Sequence, residues 1–195
     1  QSCIAAKRFN VQESVADRYV EAFRDAAEGY APGDPTDPAT RLAPMAREDL
    51  RADLHAQAAD SVRAGARVVT GVRLPSGAGA YYPASIIDGV GPGMRAWSEE
   101  LFGPVAAVIR VPDEAEAVAV ANGSVYGLGG SVWTADAARG ERVALALECG
   151  NAFVNGLVKS DPRLPFGGVK DSGYGRELSR LGLHELVNHK TVWIR

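Results

Sequence analysis

The sequence predicts an α/β fold in which helices flank a mostly parallel β-sheet, and two observations lead to that prediction. Strand-like and helix-like segments alternate between about residues 67 and 155, which is the pattern of β-α-β units. Residues 104–111 form a nearly continuous apolar run, typical of a strand buried on both faces. A chain of 195 residues, 46% of them hydrophobic, also carries enough apolar surface to bury a core.

Two amphipathic helices are predicted before the alternation begins. The first, at residues 13–27, places four apolar side chains on one face: Val15, Tyr19, Phe23 and Ala26. The second, at residues 47–64, does the same with Leu50, Leu54, Ala58 and Val62. Gly65 then fits the glycine position that ends a helix, and the β-branched run at residues 67–70 predicts a strand.

The later elements are predicted from capping signals and apolar runs. Asp113 followed by Glu116 indicates the start of a helix that ends near residue 122. The next elements are predicted at residues 130–133 (strand), 136–148 (helix), 151–155 (strand) and 175–181 (helix). Residues 187–194 predict a C-terminal strand. Because no partner strand is near it in sequence, we expect it to pair with another sheet or subunit as an oligomerisation strand.

Composition excludes several classes of function. A net charge of -3 gives no electrostatic basis for nucleic acid or an anionic membrane as a partner. No bilayer-length apolar run and no signal-peptide pattern occur, which favours a cytoplasmic location. Two cysteines and three scattered histidines argue against a disulfide framework and against a metal site. The chain starts at Gln1 rather than methionine, so we expect it to belong to a longer protein.

Cys3 is the first candidate functional residue. If the segment after it forms a short helix, the backbone N–H groups and the helix dipole would stabilise a thiolate there. Lys7 and Arg8 would add positive charge nearby. The alternative interpretation is that Cys3 is simply a small, buried apolar residue.

The second candidate segment is residues 99–105, which begins with two glutamates. A carboxylate such as that of Glu100 is suited to accept hydrogen bonds from two ribose hydroxyls, as acidic residues do in dinucleotide sites. The aromatic ring of Phe102 could cover an adjacent flat group. The alternative is an exposed acidic pair that precedes a buried strand.

The third candidate segment, residues 164–177, is rich in glycine. Four glycines over so few residues indicate positive φ angles or a close approach of backbones. Their spacing from Lys170 and Ser172 is wrong for a phosphate-binding loop. The alternative interpretation is an irregular surface loop.

Together these segments resemble the aldehyde dehydrogenase superfamily, and the resemblance extends from Gln1 to Arg195. The motifs that match in family order are Gln1-Ser2-Cys3, Glu100-Leu101-Phe102-Gly103-Pro104, Asn122 through Tyr126-Gly127-Leu128, Phe153-Val154-Asn155 and Pro165-Phe166-Gly167-Gly168. The resemblance implies an α/β catalytic domain at residues 1–181 and a C-terminal oligomerisation arm at residues 182–195. It implies a homo-oligomer, and a homodimer or a homotetramer fits equally well.

The resemblance also implies a role for each candidate residue. Cys3 would be the nucleophile that attacks an aldehyde to give a thiohemiacetal, with its own backbone N–H as one oxyanion donor. Hydride transfer to NAD or NADP would leave a thioester, which water hydrolyses to the acid. Glu100 would hold the nicotinamide-side ribose, with Phe102 packed near the nicotinamide. Phe166 would line the substrate tunnel, and Glu177 would assist the proton path of deacylation.

In this superfamily the general-base glutamate, the oxyanion-hole asparagine and the main dinucleotide-binding domain precede the cysteine. We therefore expect this chain alone to be inactive, and the choice between NAD and NADP to be set upstream. One alternative is an inactive or truncated relative that acts as an oligomerisation or interaction domain. A second is a different thiol acyl-transfer enzyme, which would need a histidine base beside Cys3. A catalytic Cys3 should be alkylated much faster than Cys149.

Within the superfamily, the chain is most similar to bacterial succinate-semialdehyde dehydrogenases. The residues that carry this similarity are at 42–47, 160–170 and 182–188. Ser160 occupies the position of a hydroxyl that contacts the substrate carboxylate. Lys159 and Arg163 flank it and would add positive charge at the tunnel mouth, although both also fit solvated loop charges. The expected partner is therefore a small aldehyde that carries a carboxylate.

Overall fold

The structure, a computed structural model, describes every residue from Gln1 to Arg195 and divides into two compact units. The first unit is Gln1–Ala121 and the second is Asn122–Arg195. The elements of the first unit are, in chain order, β1 (Arg8–Gln12), α1 (Glu13–Glu28), α2 (Glu48–Arg63), β2 (Arg67–Thr70), β3 (Ser85–Asp88), α3 (Arg95–Ser98), β4 (Val105–Val111) and α4 (Glu114–Asn122).

The sheet of the first unit is mostly parallel, as predicted. Its strand order is β1-β4-β3-β2, with β1 and β3 parallel to the central β4 and β2 antiparallel to β3. Six of the seven residues of β4 are buried, which confirms the prediction drawn from its continuous apolar run. The sequence analysis did not identify β3, although all four of its residues are buried.

Helices cover both faces of this sheet. Ile86, Ala106 and Val108 pack in a cluster that includes two buried residues of α1. Ile87, Ala107 and Ile109 pack in a second cluster that includes the buried residues of α2. Because successive side chains of a strand point to opposite faces, α1 and α2 lie on opposite sides of the sheet. The predicted arrangement of a sheet flanked by helices is confirmed.

The apolar face predicted for α1 is wrong by one position. The side chains packed against the sheet are Ala16, Val20, Phe23 and Ala27. Val15 and Tyr19, which belonged to the predicted face, are 47% and 37% exposed. Ala16 is fully buried because its small methyl side chain lets the helix approach the sheet closely. The prediction used only the spacing of apolar residues and took no account of their size.

The face predicted for α2 is confirmed. Leu54 and Ala58 are buried, and Leu50 and Val62 pack against the same cluster. The helix ends as predicted at Gly65, whose φ of 120° lies in the region that favours glycine. The strand β2 has the predicted limits.

A buried ion network connects α1 to the sheet. The carboxylate of Asp88, at the end of β3, accepts hydrogen bonds from Arg67 at 2.7 Å and from Arg110 at 2.9 and 3.1 Å. Asp88 is only 3% exposed. Arg110 also reaches Glu13 and Asp17 of α1, so one guanidinium joins β3, β4 and the helix. Hydrogen bonds to the Asp88 carboxylate outweigh the effect of burial, which by itself raises its pKa, and they hold that pKa below its usual range.

The second unit contains a small β-α-β arrangement and a separate β-ladder. Its elements are β5 (Tyr126–Gly127), β6 (Gly129–Val132), α5 (Ala137–Ala146), β7 (Asn151–Val154), β8 (Val169–Lys170) and α6 (Ser179–Glu185). β6 and β7 are parallel with α5 between them in sequence, as predicted, and β5 pairs with β8 in antiparallel fashion. Asp136 caps α5 by accepting a hydrogen bond from the backbone N–H of Arg139.

The C-terminal region differs from the prediction. The last helix begins at Ser179 rather than at residue 175, because Gly175 and Leu178 have φ angles of 77° and 62°, which exclude a helix through them. Residues 187–195 form no strand within the chain, and Val192, Trp193 and Ile194 are largely exposed. The pairing of this segment with another subunit stays a prediction, as does the arm at residues 182–195. None of the helices is both long and apolar enough to cross a membrane.

Candidate active site

Cys3 lies in a turn before β1, and its thiol is free and exposed. The turn is closed by a hydrogen bond from the backbone N–H of Ala5 to the carbonyl oxygen of Ser2, at 3.1 Å. The predicted helix start at Cys3 is therefore wrong, because the chain enters β1 at Arg8 and leaves room for only one turn. The alternative of a small buried residue is also excluded, since the thiol is open to reagents and substrates.

Lys7 connects the Cys3 turn to the segment that contains Glu100. Its ammonium donates hydrogen bonds to the carbonyl oxygens of Ser2 at 2.8 Å and Cys3 at 3.1 Å. The same ammonium forms an ion pair with Oε1 of Glu100 at 3.2 Å and lies 5.2 Å from the ring centroid of Phe102. Three of the predicted site residues are thus held around one lysine side chain, which is only 14% exposed.

The two segments enter the sheet at the same end. β1 and β4 are parallel, with Arg8 opposite Ala107, and the carbonyl oxygen of Lys7 accepts a hydrogen bond from the backbone N–H of Ala107 at 2.9 Å. Residues 100–104 lead directly into β4. The Cys3 turn and the Glu100 segment therefore lie at the amino ends of adjacent strands, about 5 Å apart by the usual strand spacing.

The two glutamates of the acidic pair have different functions. Glu99 accepts hydrogen bonds from Arg95 at 2.8 Å to each carboxylate oxygen and from Gln57 at 2.9 Å. These bonds, that from Arg95 above all, lower the pKa of Glu99. Glu99 is therefore engaged in holding the segment against α2 and α3, whereas Glu100 pairs with Lys7 through its Oε1; both glutamate side chains are 39% exposed.

Phe102 presents its ring to solvent because its neighbours anchor the backbone. Leu101 is almost fully buried, and Phe102 is 38% exposed on the opposite side. Gly103 packs so tightly on α2 that an added Cβ would collide with the side chains of Leu54 and Met45. The glycine of this motif is thus explained by close packing, which fixes the position of the exposed Glu100 and Phe102.

In the second unit the structure brings Phe166 and Glu177 together. Their backbones form an antiparallel bridge with N–H to oxygen distances of 2.8 and 2.9 Å. The Phe166 side chain is 8% exposed, and Glu177 is exposed. Arg176 supports the bridge by donating to the carbonyl oxygens of Gly168 and Gly175. Ser160 is exposed and lies outside this bridge.

The glycines of residues 164–177 include both kinds that the sequence predicted, those with positive φ angles and those at close approaches of backbones. Gly173 and Gly175 have φ angles of 114° and 77°, which favour glycine. Gly167 and Gly168 are required by close approach, because an added Cβ would lie 2.6 Å from Gly175 and Ser172 atoms respectively. The segment is therefore a packed turn system rather than an irregular surface loop.

The positive charge expected beside Ser160 is partly neutralised. Arg163 donates to both carboxylate oxygens of Asp161, at 2.9 and 2.7 Å. This hydrogen bonding lowers the pKa of Asp161 to about 2. Two basic residues, Lys159 and Arg163, are predicted to attract a substrate carboxylate. Arg163 is bonded to Asp161, whereas Lys159 forms no hydrogen bond to a carboxylate within residues 159–163.

Sequence reasoning missed several residues of the site. It noted Lys7 only as nearby charge, and gave no role to Gln57 or Arg95, which bind Glu99. Glu100 is 93 residues from Lys7 in sequence, and no local pattern reports a contact at that separation. No cluster of histidine, cysteine, aspartate and glutamate side chains is arranged to hold a metal ion.

An exposed thiol, joined through one lysine to a carboxylate and an aromatic ring, thus lies at the amino end of a mostly parallel sheet in an α/β unit. The chain belongs to the aldehyde dehydrogenase family, since the family profile matches residues 1–192. This finding confirms the family that the sequence motifs indicated and the α/β fold that it implied.

Similar proteins and solved structures agree with that assignment. The chain is 48% identical over 193 residues to an aldehyde dehydrogenase of Paenarthrobacter nicotinovorans and 47% identical over 193 residues to the succinate semialdehyde dehydrogenase [NAD(P)+] Sad of Escherichia coli (strain K12). Each match covers 99% of this chain and 42% of the relative. The crystal structure of succinic semialdehyde dehydrogenase from Streptococcus pyogenes with NADP+ matches 100% of this chain and 43% of that one, with 38% identity and a TM-score of 0.96.

Proposed function

We propose that the protein to which this chain belongs oxidises an aldehyde to a carboxylic acid, with NAD or NADP as hydride acceptor. The observation that carries the proposal is the exposed thiol of Cys3 on a turn that Lys7 joins to Glu100 and Phe102. Membership of the aldehyde dehydrogenase family supports it. The chain spans about 42% of the length of the curated relatives it matches, so the activity belongs to a longer polypeptide.

In this proposal Cys3 forms the covalent intermediates. Its thiolate attacks the aldehyde carbonyl, and the oxyanion that develops accepts a hydrogen bond from the backbone N–H of Cys3. Loss of hydride from the thiohemiacetal carbon gives a thioester, and water then cleaves the carbon–sulfur bond and restores the thiol. One aldehyde, one oxidised cofactor and one water thus give one acid, one reduced cofactor and one proton.

Glu100 and Phe102 fit the nicotinamide end of such a cofactor. A carboxylate with an open side can accept hydrogen bonds from two ribose hydroxyls, and an exposed aromatic ring two residues later can cover a flat group beside it. When bound, the cofactor supplies the hydride acceptor. Because the Glu99 carboxylate is already bonded to Arg95 and Gln57, Glu100 is the glutamate we assign to this role.

The substrate and acid-transfer roles belong to the second unit. We assign Phe166 to the tunnel wall, Ser160 to the substrate carboxylate and Glu177 to the proton path of deacylation. The names of the relatives favour succinate semialdehyde as substrate. The ion pair of Arg163 with Asp161 reduces the local positive charge, so Ser160 and Lys159 are the residues of this chain left to contact a carboxylate.

The experiment that tests this function uses the protein expressed from its complete reading frame. We expect formation of NADH or NADPH when succinate semialdehyde is added, and much slower formation with hexanal, which has no carboxylate. Absence of oxidation with every aldehyde and both cofactors would contradict the enzyme proposal. A wide preference for hexanal would contradict only the substrate assignment.

We further propose that residues 182–195 join subunits into a homodimer or homotetramer. The exposed side chains of Val192, Trp193 and Ile194 favour this role, because apolar side chains of that size gain free energy by burial in an interface. Removal of residues 186–195 should reduce the mass measured by light scattering to that of a monomer. An unchanged mass would contradict the role of residues 182–195 as an oligomerisation arm. It would also contradict the alternative that the chain acts as an oligomerisation domain.

A further inference from the structure

Lys7 is the one side chain that contacts both functional segments of the first unit. We propose that Lys7 is a positioning residue, which fixes the orientation of the Cys3 peptide and links that orientation to Glu100. The inference rests on the proposed function, since it assigns Lys7 a role in the reaction of Cys3. It is carried by the contacts of the Lys7 ammonium with Ser2, Cys3 and Glu100.

The bond from Lys7 to Ser2 sets the direction of the Cys3 backbone N–H. In a trans peptide the carbonyl group and the following N–H point in opposite directions, and the chain has no cis peptide. The Ser2 carbonyl points toward the Lys7 ammonium at 2.8 Å, so the N–H of Cys3 points away from it. That N–H is the proposed oxyanion donor, and Lys7 therefore aims it.

The Lys7 side chain can hold this orientation because both of its ends are fixed. Its backbone is bonded to Ala107 of the central strand, and its ammonium is bonded to Ser2, Cys3 and Glu100. The ion pair with Glu100 engages Oε1, which leaves Oε2 to accept hydrogen bonds from ribose hydroxyls. Loss of the ammonium would thus disturb the Cys3 peptide and the Glu100 carboxylate together.

Lys170 provides a matched control in the second unit. Its ammonium also donates to two backbone carbonyls, those of Asn122 at 2.7 Å and Ser124 at 3.3 Å. It also pairs with a glutamate, Glu148, at 2.9 Å. A purely structural role for Lys7 predicts that both lysines respond alike to replacement, whereas a positioning role predicts a difference.

The test compares Lys7→Met, Lys7→Arg and Lys170→Met in the protein expressed from its complete reading frame. We expect Lys7→Met to lower kcat by roughly tenfold to a hundredfold with little change in aldehyde KM, since one oriented oxyanion donor contributes about 10²–10³ to kcat. Lys7→Arg, which keeps the charge, should recover most of that loss. Lys170→Met should leave kcat and KM within about twofold of wild type, within the usual variation for a site away from the chemistry.

Two measurements do not depend on turnover. Fluorescence titration with NADPH should show that Lys7→Met binds this cofactor several-fold more weakly than wild type, roughly the effect of losing one charge-assisted hydrogen bond. Lys7→Arg and Lys170→Met should bind it as wild type does. Amide hydrogen exchange of residues 2–6 should be faster in Lys7→Met and near wild type in Lys7→Arg and Lys170→Met. Unchanged exchange of that turn in Lys7→Met, or equal kcat losses in Lys7→Met and Lys170→Met, would overturn the positioning role. A wild-type protein that oxidises no aldehyde would overturn the proposed function instead, and the exchange data would still decide whether Lys7 holds the turn.

Discussion

The Lys7 and Lys170 sites are built from the same parts. Each has an ammonium bonded to two backbone carbonyls, a glutamate as ion-pair partner and a cysteine in the same unit. They differ in the thiol. Cys3 is exposed, whereas Cys149 is half-buried, its thiol donates to the carbonyl of Asn151, and burial raises its pKa. The same contacts of a lysine ammonium can therefore belong to a structural site or to a site proposed for catalysis. The two sites differ in the exposure of their cysteine thiols.

Replacement of the two cysteines should give the largest difference between these sites. We expect Cys3→Ala to lower aldehyde oxidation by at least about a thousandfold, because it removes the thiol that we propose forms the thioester. Cys149→Ala should retain activity within about threefold, since it removes a half-buried sulfur that takes no part in the reaction. The rate of NADPH formation with succinate semialdehyde measures both. Equal loss in the two variants would show that the comparison of the thiols is mistaken.

The buried ion network of the first unit should contribute more to stability than the exposed ion pairs. Asp88→Asn should lower the free energy of unfolding by about 2–3 kcal/mol at pH 7, because it removes the buried carboxylate that binds both Arg67 and Arg110, although Arg110 keeps its pairs with Glu13 and Asp17. The folded pKa of Asp88 is depressed, so its contribution is complete above the unfolded value of about 4 and is lost as pH falls through the folded value. The difference between wild type and Asp88→Asn should therefore shrink in strong acid.

Urea unfolding at pH 7 and at about pH 3 checks this prediction, the second pH lying below the unfolded pKa of an aspartate. Asp161→Asn is the control, because it removes an equally short ion pair that is open to solvent. Its effect should be clearly smaller, since exposed pairs are screened. An effect of Asp161→Asn as large as that of Asp88→Asn would contradict the assignment of the buried network.

Alkylation should separate the two thiols directly. At pH 7 we expect iodoacetamide to modify Cys3 at least about tenfold faster than Cys149, because Cys149 is half-buried and its raised pKa keeps it protonated. The difference should narrow as the pH rises into the range in which Cys149 ionises, because burial sets its pKa above the usual value for a thiol. Peptide mass spectrometry quantifies each cysteine separately. Equal rates at pH 7 would remove the distinction on which the comparison depends.

The smallest expected effect is that of Lys170→Met on stability. Loss of its partly exposed ion pair and carbonyl bonds should lower the free energy of unfolding by about 1 kcal/mol. Thermal unfolding measures the change, with Lys170→Arg as the variant that should recover part of it. A loss of several kcal/mol would mean that Lys170 is not the simple control it is taken to be.

Most regular elements could be predicted, because their signals are local. The capping pair at Asp113 and Glu116 correctly placed the start of α4, where the Asp113 carboxylate accepts from the N–H of Glu116 at 2.9 Å. The continuous apolar run correctly predicted β4. β3 escaped notice because only its two central residues, Ile86 and Ile87, are apolar, and its burial comes from neighbours distant in sequence.

Family resemblance named Cys3, Glu100 and Phe102 as site residues, and their roles stay predictions. Their arrangement around Lys7 could not be predicted, and the sequence suggested a helix where the Cys3 turn lies. Strand pairing of Arg8 with Ala107 decides that geometry, and it depends on residues about a hundred positions away. Arg163 is a different case, since its partner Asp161 is only two residues away in sequence, and the sequence analysis did not consider that local ion pair.

The parallel register of β1 on β4 has a consequence for modularity. The proposed nucleophile, Cys3, and the proposed cofactor-binding carboxylate, Glu100, come from distant parts of the chain, but each lies in the segment that leads into one of two paired strands. A shift of that register by one residue would move the Cys3 turn by about 3.3 Å relative to Glu100 and turn every β1 side chain to the opposite face. The smallest transplantable piece of this site is therefore the strand pair with both of its lead-in segments, and the cysteine turn alone would carry no function into another scaffold.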